Sequence, residues 1–206
     1  MMSALDGPHV GLGLCVGLAK DGHSVIEVQC TWTGPRKLTD DDVIITGHIN
    51  SVMQESVNLV KDLVVERNRE IAEHLGRKPE QLRLIKQTRY LHVHIENEYK
   101  AVNKSYLMGA IYISMISLLI GRRPKAGTAV FGDISPYGVF SSVWDWTDQE
   151  VGVCQSKGNR QVVVGSGTVL LDKAPQMVEA MQEDGQPLVK IIQEQDPIKM
   201  LSHFFG

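Results

Sequence analysis

The sequence predicts a mixed α/β fold (α/β or α+β) of short sheets packed with helices, and three stretches carry that prediction. Val10–Lys20 (VGLGLCVGLAK) and Ser24–Trp32 (SVIEVQCTW) are apolar or alternating and meet across Asp21-Gly22, the pattern of a β-hairpin. Val52–Leu75 repeats apolar residues at Val52, Val57, Val60, Leu63, Val64 and Ile71, with Glu55, Lys61, Asp62, Glu66, Arg67 and Glu70 between them, the pattern of an amphipathic helix. Leu91–Ile95 alternates as a strand, passes into a polar loop, and enters an apolar helical run from Tyr106 to Ile120. Unpaired backbone N–H groups converge where a loop opens a buried helix, so this last stretch is where a site is expected.

The other elements follow in order. Residues 1–9 read as a loose lead-in. Gly11, Gly13 and Gly17 suit a curved strand; no Lys-Ser or Lys-Thr follows them and no helix opens there, so they do not make a phosphate loop. Thr33–Asp42 is a turn-rich connection to a short strand at Val43–Thr46. Gly76 ends the long helix from its C′ position, and Leu82–Ile95 resumes the sheet. Gly121 stops the buried helix and Thr128–Val130 starts the next strand. Pro136-Tyr137-Gly138 turns the chain between two short strands within Ile134–Val143. Val143–Val153 has no clear period. Gln161–Val164 and Val169–Leu171 read as strands, Ala174–Gln182 and Leu188–Gln195 as helices, and Ile198–Phe205 as a last apolar turn.

With 206 residues, 43% hydrophobic and 22% charged, the chain suffices for one well-cored domain. A formal net charge of −3 gives no electrostatic reason to expect a nucleic-acid or anionic-membrane partner, and the Arg122-Arg123-Pro124-Lys125 cluster reads as a solvated loop. Cys15, Cys30 and Cys154 are far apart and odd in number, which argues against a disulfide framework and for a reducing, intracellular compartment such as the cytoplasm. No CxxC pair suggests a zinc ribbon. Neither a secretion signal nor an apolar run of membrane-spanning length is visible.

Five phrases resemble, in order, the peptidase domain of Lon proteases: GLAKDGHSVIEVQCTWTGPRKL, ITGHINSVMQESVNLVKDLV, LHVHI, a helix ending in GRRP, and AVFGDISPYG. The resemblance runs from about Gly11 to Met200–Phe205. It implies a serine endopeptidase fold with a Ser-Lys dyad, no cofactor in the peptidase domain, and association into rings. In such a dyad a lysine serves as base only if its surroundings keep the amine neutral, and the helix N-terminus supplies donors for the oxyanion.

An ungapped comparison anchored at His92-Val93-His94, Gly121 and Gly132 places Tyr106 on the nucleophile. The general-base lysine falls on Gln149 and the threonine that supports it on Phe131. Ala101–Ser105 lacks the family's prolines, lysine-aspartate pair and glycine, and Trp144–Asp148 replaces its Gly-Gly-Lys-Glu-Lys-type segment. His92, His94, Gly132, Asp133 and Gly138 are kept or conservatively replaced. The resemblance therefore implies a scaffold without its dyad, which acts by binding proteins or peptides or by assembly. The alternative is an active peptidase with a relocated nucleophile, Ser105, served by Lys104, Lys157 or another lysine; otherwise Ser105 is a helix N-cap. His92 and His94 share a strand face as H-x-H with no third metal ligand in view, so they read as structural histidines or as part of a binding surface with Asp133. Trp144 and Trp146 suit either a peptide groove or interface or the filling of space vacated by the dyad. Cys154 reads as a buried small hydrophobe. The residues contain no G-x-x-x-x-G-K-[ST], so no nucleotide motor is expected within them.

Overall fold

The computed structural model describes residues 10–19, 22–35, 42–47, 51–83, 89–95, 107–142, 145–172, 174 and 189–206. Strands β1 (Gly11–Ala19) and β2 (Gly22–Thr33) form the expected antiparallel hairpin, with Gly11 opposite Cys30 and Ala19 opposite Gly22. Strand β3 (Val43–Gly47) leads to helices α1 (Ser51–Glu66) and α2 (Asn68–His74), and then to β4 (Tyr90–Ile95). Helix α3 (Met108–Ile120), β5 (Thr128–Phe131) and a ribbon of β6 (Asp133–Ile134) with β7 (Phe140–Ser141) follow. The chain closes with α4 (Asp148–Ser156), β8 (Gln161–Gly165), β9 (Lys190–Glu194) and α5 (Pro197–Phe205).

Seven strands make one sheet in the order β3-β4-β2-β1-β5-β8-β9. Strand β4 is parallel to β3 and antiparallel to β2, while β1, β5, β8 and β9 are joined by parallel pairings. Among these strands β2 therefore runs against all the others, and the six parallel ones end at a common edge.

Helix α3 is buried from Met108 to Leu118, as its apolar character on every side requires. It lies so close on β1 that a Cβ at Gly13 would stand 2.9 Å from the carbonyl carbon of Ala110 and nearer still to its oxygen. The same helix meets β2 through the Cys30 thiol, 3.0 Å from the Ser114 hydroxyl. Helix α1 packs against α3 and buries Met53, Val57, Val60, Leu63 and Val64 at helical spacing. Gly76 and Gly121, at φ 61° and 64°, take the left-handed conformation expected just past a helix.

The structure corrects several expected boundaries. The helix expected over Val52–Leu75 is divided at Arg67, although Arg67 N to Leu63 O and Ile71 N to Arg67 O carry its hydrogen bonding across the division at 2.9 and 3.0 Å. Pro79–Leu82 is a 3₁₀ turn, and the strand begins at Tyr90. Where a helix was expected over Leu188–Gln195, the described residues from Val189 on do not form one: Lys190–Glu194 pairs parallel with β8, because a short apolar run takes whichever period its neighbours complete. Val169–Leu171 contributes one isolated bridge, between Leu170 and Trp146. Helix α4 begins within the segment without a period, Val143–Val153, and runs past its end to Ser156. Apart from Ala174, the helix expected at Ala174–Gln182 lies outside the described residues. No described helix is long and apolar enough to cross a membrane.

Candidate functional site

The carboxyl edge of the sheet is where open α/β sheets place ligands. Helix α3 begins there, its Gly109 N–H reaching the Gly132 carbonyl at 3.4 Å. Lys104, Ser105, Tyr106 and Trp144 lie outside the described residues, so the geometry of the site begins at Leu107.

Strand β5 delivers both faces of this edge. Val130 faces α3, since a Cβ at Gly109 would come 2.7 Å from its Cγ2. Phe131, next along the strand, faces the opposite way and meets Trp146 edge-on, with ring centroids 5.3 Å apart and planes at 71°. Both rings are fully buried, so Trp146 does not line an open groove. Phe140, also fully buried, wedges its ring between Gly109 and Gly132, where added Cβ atoms would come 3.3 and 2.6 Å from its Cε2. Gly132 has φ 151°, which a side chain rarely adopts. The three aromatic residues close the end of β5 with apolar surface.

Gln149 stands on the first turn of α4, exposed to water. Thr147 caps that helix: its hydroxyl accepts from Gln149 N at 3.3 Å, while the Glu150 carboxylate accepts from Thr147 N at 2.8 Å and from its hydroxyl at 2.6 Å. This reciprocal pair forms a capping box, a Thr-x-x-Glu signal legible in Thr147-Asp148-Gln149-Glu150. Lys157 is exposed at the far end of α4. Cys154 is buried on the same helix; burial, and secondarily the Glu150 charge, pushes its thiol up to about 12. Burial likewise pushes Cys30 up to about 12, against a smaller lowering by the Ser114 hydroxyl. Both thiols stay protonated and are poor nucleophiles.

His92 and His94 project from the half-exposed face of β4, opposite Leu91, Val93 and Ile95, which are buried. The parallel register sets Thr46 beside His94, and its hydroxyl lies 2.8 Å from His92 Nε2 and 2.9 Å from His94 Nδ1. One proton and two lone pairs let a single hydroxyl serve both rings. Among the described residues no group of three His, Cys, Asp or Glu side chains is placed to hold a metal ion. Asp133, half-buried, opens β6 at the carboxyl edge, and Gly138 turns the ribbon at φ 73° beside Arg67.

Desolvation, and secondarily the charge of His94, holds His92 below its ordinary pKa of 6.5. A folded state that resists protonation loses stability where the unfolded chain takes up the proton. The contribution is intact above pH 6.5 and is lost as pH falls through the folded-state pKa. Urea unfolding between pH 7 and pH 5 should therefore show a falling midpoint, and the fall should be shallower in His92→Gln.

No model of a known protein family matches the chain, and no curated protein sequence matches it. Residue reasoning missed Phe140 and Thr46. Nothing local marks Phe140 as a wedge between two glycines, and Thr46 needs the β3–β4 register to bring it between the histidines.

Proposed function

We propose that this chain is a catalytically inactive relative of the Lon peptidase domain that acts by binding proteins or peptides, or by assembling with them. The Phe131–Trp146 pair carries this reading. Where the resembled family has a threonine supporting a lysine amine, this chain has Phe131, whose buried ring packs edge-on against the buried ring of Trp146.

The residue at the base position argues the same way. A lysine can deprotonate a serine hydroxyl only when desolvation or neighbouring charge keeps its amine neutral. Position 149 holds glutamine and faces water. Backbone donors at the start of α3 would stabilise an oxyanion, but donors alone do not generate a nucleophile.

Incubation with unfolded casein, together with a serine-directed activity probe, tests the proposal. Neither cleavage nor labelling is expected. Cleavage that disappears in Ser105→Ala would sink it, because Ser105 would then be a relocated nucleophile. The assembly branch is separable: a sedimentation coefficient that stays monomeric across a wide concentration range would leave only partner binding.

A further inference from the structure

The parallel strands β5, β8 and β9 receive the chain at one edge of the sheet and release it at the other, and charge is divided between the two edges. The chain entering them carries Arg122, Arg123, Lys125, Lys157, Arg160 and Lys190, all exposed and without an ion-pair partner among the described residues. Backbone hydrogen bonds tie this amino edge together: Lys125 N donates to Phe204 O at 2.9 Å, Arg160 N to Gly127 O at 2.9 Å, and Lys190 N to Arg160 O at 2.8 Å. Against these bases stand the carboxylate of Gly206 and, in the sequence leading to β9, Glu183 and Asp184. Base therefore outnumbers acid.

The carboxyl edge reverses the sign. The chain leaving the same strands carries Asp133, Asp145, Asp148, Asp172, Glu194 and Asp196, against Lys173 alone. Trp146 N to Val169 O and Phe140 N to Gln195 O, both at 2.8 Å, hold these segments side by side. Arg67, which lies beneath the turn at Gly138, is bonded to Glu70 at 2.6 Å. The two edges also differ in shape. Tyr137, 94% exposed, stands at the tip of the β6–β7 ribbon on the acidic edge, in a turn fixed by Gly138 N to Ser135 O at 2.8 Å and Ser135 N to Val139 O at 2.9 Å. The basic edge has an open groove of about 430 Å³, lined by Ile191 and Ile192 with Lys125 and Lys190.

We propose that copies of this chain associate head to tail, the acidic carboxyl edge of one docking on the basic amino edge of the next, with Tyr137 anchored in the groove against Ile191 and Ile192. The contact joins two different surfaces and is therefore heterologous, repeating from copy to copy. Opposed charges steer the edges together and fix their register. A tyrosine is a common interface anchor, and the amines of Lys125 and Lys190 would add attraction to its ring. A second copy matches this edge in charge and in shape at once. A single-stranded nucleic acid would find the bases but no Phe, Tyr or Trp in the groove on which to stack. The proposal rests on the assembly branch of the function proposed above and names its partner; the casein experiment bears on inactivity alone, so the two can fail separately.

Sedimentation velocity on the whole chain over a wide concentration range tests it. Association should grow with concentration and weaken at least about tenfold as salt rises from about 0.05 to about 0.5 M. The double variants K125E/K190E and Y137K/D145K should each self-associate at least about tenfold more weakly than the parent. An equimolar mixture of the two should recover association, because the first keeps its acidic edge and the second its basic edge. A monomer at every concentration, association indifferent to salt, or a mixture no more associated than its components while their far-ultraviolet circular dichroism is intact would each overturn the proposal. So would an oligodeoxythymidine or phosphatidylserine vesicles that the parent binds more tightly than it binds itself. If a variant does not fold, the concentration and salt dependence of the parent decides the matter.

Discussion

Replacing Gly13 by alanine should remove more than ~3 kcal/mol of folding stability, above the ~1–3 kcal/mol common for overpacked positions. The usual sign of the substitution is reversed here. Alanine in a strand is normally better than glycine by ~0.5–1 kcal/mol, because glycine loses more backbone freedom on folding. At Gly13 the new carbon would lie 2.9 Å from the Ala110 carbonyl carbon and 3.1 Å from its Cα, atoms of the α3 backbone that cannot rotate away. The helix would have to lift from β1, and Cys30 of the neighbouring β2 and Ser114 of α3, in contact at 3.0 Å, would separate with it. Ala110→Gly should give no rescue, since the clash is with backbone. Against a typical domain stability of ~5–15 kcal/mol, the variant should unfold at a much lower urea concentration, or be unfolded at the outset. Gly11→Ala should behave alike, because its Cβ would come 2.6 Å from the Leu118 nitrogen.

The hairpin, α1 and α3 were legible because their apolar residues repeat with a period that one secondary structure satisfies. The glycines of β1 were legible as strand residues and as something other than a phosphate loop, but the cause of Gly11 and Gly13 lies in a helix about a hundred residues further along the chain. Strand β9 was misread because Val189-Lys190-Ile191-Ile192 suits a strand or a helical turn equally, and only pairing with β8 decides. Helix α4 has no apolar period, yet its capping box was present in Thr147–Glu150 and would have placed Gln149 on a first turn. At the carboxyl edge, the comparison that singled out Phe131 and Trp146 did not reveal that they touch. Trp146 sits among acidic residues, as a surface tryptophan would, and its burial depends on the return of β5 from another part of the chain.

Phe131→Ala and Trp146→Ala should each cost ~3–5 kcal/mol, the range for emptying a large aromatic site in a core. The double variant should cost less than their sum. Edge-to-face pairs contribute ~0.5–1.5 kcal/mol beyond area burial, and residues in contact share the cavity they leave. Trp146→Phe should cost less than half of Trp146→Ala. The Trp146 indole N–H is buried with no acceptor among the described residues, and an unsatisfied buried donor is itself a burden of ~1–3 kcal/mol that phenylalanine removes. The informative variant for function is Phe131→Thr, which restores the residue type of the resembled family. It places a hydroxyl against the Trp146 ring and forfeits the packing, so it should destabilise the fold while casein stays intact, because position 149 still presents an exposed glutamine and no base. If Phe131→Thr were instead as stable as the parent, the aromatic pair would not be what closes this edge, and the main support for an inactive scaffold would be gone. Cleavage in that variant would go further and mean that the neighbourhood of Phe131 still positions a base supplied from elsewhere in the chain.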